Sequence, residues 1–198
     1  MVLGNRHRLV ACSTAAGPAL EGAGIRWGMR GSTGAIDHVW REDQQLCCSV
    51  IGGGEAIGIC GSGLIDAAAA ALELGLLNSR GRVLNTEHTI PLQGEICLTQ
   101  EDIRQLQLAK GAIAAGIRLM ARQLGISPGH IDRVYLAGAF GTFLNPRSAC
   151  KIGLLPPGTG DAQYFAAEGG KPPGAFAAHT AAADDQHGDF HTRNTHTG

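Results

Sequence analysis

The stretch from Ile131 to Pro146, IDRVYLAGAFGTFLNP, constrains this chain more than any other. Val134 to Ala137 is a short apolar run with a β-branched and an aromatic residue, the pattern of a buried strand. It ends in Gly138, Ala139, Phe140 and Gly141, where missing Cβ atoms let the backbone turn sharply and approach a ligand closely. Asn145-Pro146 then reads as a cap followed by proline at the first helical position. Strand, glycine turn and helix start together present free backbone N–H groups at one point, which suits an anionic or nucleotide ligand. The same residues also serve plain chain reversal, so the stretch acquires meaning only beside others.

At 198 residues the chain has room for one domain, with or without a second small lobe. Hydrophobic residues make up 44% but aromatics only 5%, so the core must be aliphatic and alanine-based. A net charge of −1 argues against nucleic-acid or anionic-membrane partners held by electrostatics. No signal peptide is visible, because Met1-Val2-Leu3-Gly4 gives way at once to the polar turn Asn5 to Arg8. No apolar run approaches the roughly 18 residues of a membrane span, so a cytoplasmic location is expected. The cysteines at 12, 47, 48, 60, 97 and 150 include no Cys-x-x-Cys pair. They read as buried reduced thiols, with a metal or iron–sulfur site as the other option, and no metal ligand is assigned.

Along the chain, residues 1–12 read as a β-hairpin, Met1 to Leu3 and Arg8 to Cys12, turning at Gly4-Asn5. A chain that starts inside a sheet leaves its first strand as an exposed edge, the expectation for a truncated protein. In the small-residue segment Cys12 to Glu21, Ser13 or Thr14 caps a short helix or binds an anion. A tight strand-to-helix connection and a ligand-facing loop both fit it. Ile25 to Arg41 reads as short strands and glycine turns, and Gln45 to Ile59 as a hairpin turning at Gly52, Gly53 and Gly54.

Gly58 to Asp66, GICGSGLID, runs straight into an alanine-rich segment that is helical on propensity to Leu77, with Ser62 as N-cap. Gly61, Ser62 and Gly63 have the outline of a phosphate loop but lack the lysine and spacing of a P-loop. Asp66 is open to two readings, a metal–phosphate ligand or a solvated first-turn acid. Glu95 to Leu98 reads as a strand, and Thr99 with Asp102 as a variant capping box opening the longest helix, roughly 100–124. Ile103, Leu106, Ile113, Ile117, Met120 and Leu124 fall mostly on one face of it. Lys110 lies near that face, to reach a ligand or to snorkel. From Gly158 to Gly198 there is no Leu, Ile, Val or Met, so 158–198 is expected to be a disordered or frame-shifted tail.

Taken together, ACSTAAGPALEG (11–22), GICGSGLID (58–66) and YLAGAFG (135–141) with Asn145-Pro146 resemble one family, and DIRQLQLAKGAI (102–113) supports the match. They look like the C-terminal domain of the reductive activators of corrinoid proteins. These are ATP-dependent iron–sulfur proteins that return a corrinoid cofactor from Co(II) to Co(I). The resemblance covers about residues 1–157. It implies an α/β fold, a partial RNase H-like, actin-like ATPase domain of the acetate and sugar kinase, Hsp70 and actin (ASKHA) superfamily, with a mixed sheet flanked by helices.

By that resemblance, Gly138, Ala139, Phe140 and Gly141 match the adenosine motif, and Gly61, Ser62 and Gly63 face the same cleft. ATP with Mg²⁺ is the implied cofactor. The two Asp-x-Gly hairpins that normally hold the phosphates do not occur in the sequence, and no cysteine spacing replaces the family's 2Fe–2S ferredoxin domain. Met1 to Leu3 looks like the return strand of the second hairpin. Thr142-Phe143 stands where many relatives carry Asn-Tyr. A corrinoid protein is the implied partner, and Ser13 and Thr14, on a slim loop, are candidates for contact with it or with its cofactor. The expected function is therefore a fragment of an ATP-dependent reductive activator, inactive alone. The alternatives are a non-catalytic module that docks on a corrinoid protein or forms a homodimer through the long helix, and a truncated reading frame without function.

Overall fold

The computed structural model describes residues 1–157 and 163–165. Val2–Gly4 (β1) and Leu9–Ala11 (β2) form the expected antiparallel hairpin, with Leu3 opposite Val10. Its turn is held by Asn5, whose Oδ1 accepts from the amides of His7 and Arg8. Ala35–Glu42 (β3), Gln45–Val50 (β4) and Gly58–Ile59 (β5) make a mixed sheet in the order β4-β3-β5, β4 antiparallel and β5 parallel to β3.

This corrects the hairpin expected within 45–59. The paired strands are β3 and β4, turning at Asp43-Gln44 with Asp43 at φ 52°. Gly52, Gly53 and Gly54, all at positive φ, instead carry the chain to the far edge of β3. The reason is that β3 has two edges of main-chain groups to satisfy. Gly34 N donates to Ile51 O on one side and Gly34 O accepts from Ile57 N on the other.

Gly61–Glu73 (α1) follows, ending short of the expected Leu77, and is buried from Gly61 to Ala71. A helix apolar up to Leu72 except at Ser62 and Asp66 belongs inside a domain, and its alanines let β3 and the helix at Pro146–Lys151 close on it. Thr89–Gln93 (β6) and Ile96–Thr99 (β7) form a second hairpin leading into Gln100–Gln123 (α2). Both halves of the Thr99–Asp102 capping box are formed. Tyr135–Ala137 (β8), Gly138–Phe143 (α3) and Pro146–Lys151 (α4) complete the main body, and Gln163–Phe165 (β9) pairs parallel to β8. Strand β9 lies past 157, where the aliphatic residues stop, because main-chain pairing places no demand on aliphatic content. The rest of the expected tail lies outside the described residues.

The core is aliphatic, as composition requires: Ile36, Ile59, Leu64, Ile65, Ile90, Leu98 and Ile103 are at most 2% exposed. Lys110 is anchored by a bond that neither expectation included. Its ammonium donates to the carbonyl of Ile152, the residue that closes α4, and so caps that helix's negative end.

Candidate functional site

Strand β8 is exposed at Tyr135 and Ala137, not buried as its apolar run suggested, and the segment between it and α4 is where the glycine turn was expected. Gly138 does turn the chain, at φ 87°, but the residues after it form α3 rather than a loop. Thr142 Oγ1 donates to Gly138 O at 3.1 Å and Leu144 N to Phe140 O at 3.1 Å, closing a short helix on local bonds alone. Asn145 then caps α4 as predicted, its Oδ1 accepting from Arg147 N at 3.0 Å and Ser148 N at 3.4 Å, with Pro146 at the first helical position. Gly138 and Phe140 are exposed, whereas Gly141 is buried against Leu136.

The head of α1 lies beside this unit. A Cβ built at Gly61 would overlap the Leu20 carbonyl oxygen and stand 2.8 Å from Phe140 Cε2. One at Gly63 would overlap the Ile36 carbonyl oxygen on β3. Both glycines thus let protein backbone approach closely, and Gly61, Ser62 and Gly63 are all buried. Ser62 is not the N-cap. That position is Cys60, without a side-chain capping bond, because the helix begins two residues earlier and Ser62 Oγ reaches across to Asp37 O at 2.9 Å. The amides of Gly61, Ser62 and Gly63 have no acceptor among the described residues, as befits a helix N-terminus.

A cluster that sequence reading missed lies one turn further along α1. The β3–β4 register shifts between Ile36 and His38, and this irregularity lets the successive residues Asp37 and His38 both approach α1. His38 Nδ1 lies 3.0 Å from Asp66 Oδ2, and its Nε2 is 4.0 Å from Asp37 Oδ2. Asp66 is 2% exposed, so it is not the solvated acid expected as one option, and Oδ1 of Asp66 and of Asp37 are buried without a hydrogen-bond partner among the described residues. The hydrogen bond to Asp66 raises the His38 pKa above 6.5, against the lowering effect of burial and with help from the charges of Asp66 and Asp37.

A raised histidine pKa stabilises the fold fully below the unfolded value, and that contribution is lost as pH rises through the folded value. The stability difference between the protein and His38→Gln is therefore expected to be largest near about pH 5.5 and to shrink by about pH 9. Urea midpoints across that range measure it, and a difference that stays flat or grows with pH contradicts the assignment. Only the β3 bulge brings His38 to Asp66, and no local sequence pattern announces such a bulge.

Comparison with known proteins bears on what these elements are. A family model for the C-terminal domain of RACo, the ASKHA domain, matches residues 1–170. The chain belongs to that family. Two curated relatives agree: the corrinoid activation enzyme RamQ of Eubacterium limosum is 37% identical over 79% of this chain, and a Co(II) methylated amine-specific corrinoid protein reductase of Methanosarcina barkeri is 33% identical over 79%. The solved structure of a reductive activator for a corrinoid, iron–sulfur protein superposes with a TM-score of 0.68 at 39% identity, covering 79% of this chain and 28% of that one. The chain spans 31% and 33% of the length of the two curated relatives.

Within this RACo-type ASKHA domain, Ser13 is exposed on the loop after β2, while the Thr14 methyl faces α2 over Gly116. All six cysteines are free, and burial pushes the Cys48 thiol up to about 11. No group of three His, Cys, Asp or Glu side chains among the described residues is placed to hold a metal ion. No helix among the described residues is long and apolar enough to cross a membrane.

Proposed function

We propose that this chain provides the nucleotide-contacting part of an ATP-dependent reductive activator of corrinoid proteins, and that it does not turn ATP over by itself. The observation that carries this reading is the meeting of two helix heads, with Phe140 in the first turn of α3 lying on Gly61 of α1. Amides that lack protein acceptors at the α1 head suit an anionic group, and family membership supports ATP as its source. In this reading Gly138, Ala139, Phe140 and Gly141 flank the adenosine, and Gly61, Ser62 and Gly63 address the phosphate side. Mg²⁺ would come with the nucleotide and be held largely by its phosphates, and no hydrolytic or redox step is assigned to the described residues.

The partner is a corrinoid protein, by analogy with what the relatives' names state, and Ser13 on its exposed loop is the contact proposed for it. A fluorescent ATP analogue titrated into the purified chain is expected to bind saturably, with affinity reduced at least about tenfold by Gly138→Val, which a φ of 87° does not accommodate. Absence of binding by the unaltered chain overturns the nucleotide reading. Magnesium-dependent hydrolysis by the chain alone overturns its lack of turnover. Capture of a corrinoid methyl-carrier, unchanged by Ser13→Ala, removes Ser13 from the interface.

A further inference from the structure

We propose that a cavity on another part of the domain binds a small amphiphilic anion, an apolar body bearing one carboxylate or sulfonate. The cavity, of about 460 Å³, opens between α1, α2, the turn at 77–81 and the end of α4. Its volume lies in the range of small-molecule sites. None of Gly61 to Gly63 or Gly138 to Gly141 lines it, so this site and the nucleotide reading stand or fall separately.

Its chemistry is divided between aliphatic and charged side chains. Ala68 and Leu72 of α1 face Ile103 and Leu106 of α2, an aliphatic floor with no polar atom on any side chain. The cations among its lining residues are Lys110 and Lys151. Lys110 is held in place by the Ile152 carbonyl, which uses one of its three donors and leaves two. Lys151 pairs with Glu73, so the lining carries two cations against one carboxylate. Fixed positive charge beside an aliphatic floor selects a ligand with an apolar body and an anionic head. A neutral apolar molecule would gain from the floor alone, and a small inorganic anion from the cations alone.

The test uses the whole chain and two probes of similar shape, anionic 8-anilinonaphthalene-1-sulfonate and neutral N-phenyl-1-naphthylamine. The sulfonate is expected to bind saturably at one equivalent, with displacement by octanoate. Lys151→Gln, which leaves Glu73 uncompensated, is expected to weaken the sulfonate about two- to fivefold while leaving the neutral probe unchanged. Gln107→Trp, which sets a large ring in the lining, is expected to abolish both signals. If that variant unfolds early, Ser79→Trp on the exposed turn serves the same purpose. Non-saturable binding, a signal indifferent to the tryptophan variants, or an equal effect of Lys151→Gln on both probes overturns the proposal.

Discussion

Gly63→Ala is expected to cost about 2–4 kcal/mol of folding stability, in the upper range for adding a single methyl group to a packed interior. Gly63 is buried in the first turn of α1, and the new Cβ would overlap the Ile36 carbonyl oxygen and stand 3.1 Å from Ile59 Cγ1. Neither neighbour moves easily. Ile36 belongs to the central strand β3, and its carbonyl also accepts from Cys60 N at 3.0 Å, the bond that seats the helix on the sheet. Relieving the clash therefore breaks that bond or shifts α1 in the core. Gly111→Ala is the control: Gly111 lies on the exposed side of α2 with nothing within 4 Å of the added carbon. There the substitution is expected to stabilise by about 0.5–1 kcal/mol through helix propensity alone. Urea unfolding of the two variants should give opposite signs, and a Gly63→Ala protein within about 0.5 kcal/mol of the parent would refute the packing argument.

Asp102→Ala is expected to be of similar size, about 3–5 kcal/mol, for a different reason. Asp102 is 2% exposed and its carboxylate serves three donors. Oδ1 accepts from Arg26 N at 2.8 Å, and Oδ2 from Thr99 N at 2.7 Å and Thr99 Oγ1 at 2.8 Å. Truncation strands two part-buried main-chain amides, one of them 76 residues away in sequence. The local half of the motif is weaker: Thr99→Val removes the acceptor for Asp102 N and is expected to cost about 1 kcal/mol. Asp102→Asn, which keeps one carbonyl oxygen, should fall between the two. Calorimetric or denaturant midpoints that rank Asp102→Ala no worse than Thr99→Val would show that the link to Arg26 contributes nothing.

The same residue shows where sequence reading stops. Thr99 and Asp102 sit three positions apart, so the capping box is visible in the chain, but nothing near Asp102 announces Arg26. Ser62 is a more instructive case. Its position before an alanine run favours a cap, yet its hydroxyl is drawn to the Asp37 carbonyl on β3, and the helix starts without it. The alternation and glycine content of residues 45–59 suggest a hairpin, because local pattern marks a turn without saying which strand the chain rejoins. Lys110 lies on a legible helix face, but its ammonium is committed to the end of α4, 42 residues on.

By itself the sequence determined the α1 and α2 helices, the β1–β2 hairpin, the Asn145-Pro146 helix start, the aliphatic core and the motif order that marks the family. Each of these depends on residues within a few positions of one another, or on composition. Only the tertiary structure decided that β5 joins the far edge of β3, that Gly61 and Gly63 admit protein backbone, and that Asp37, His38 and Asp66 converge. Those outcomes depend on which main-chain edges remain unpaired and how closely two elements approach once packed, and no window of sequence contains both partners.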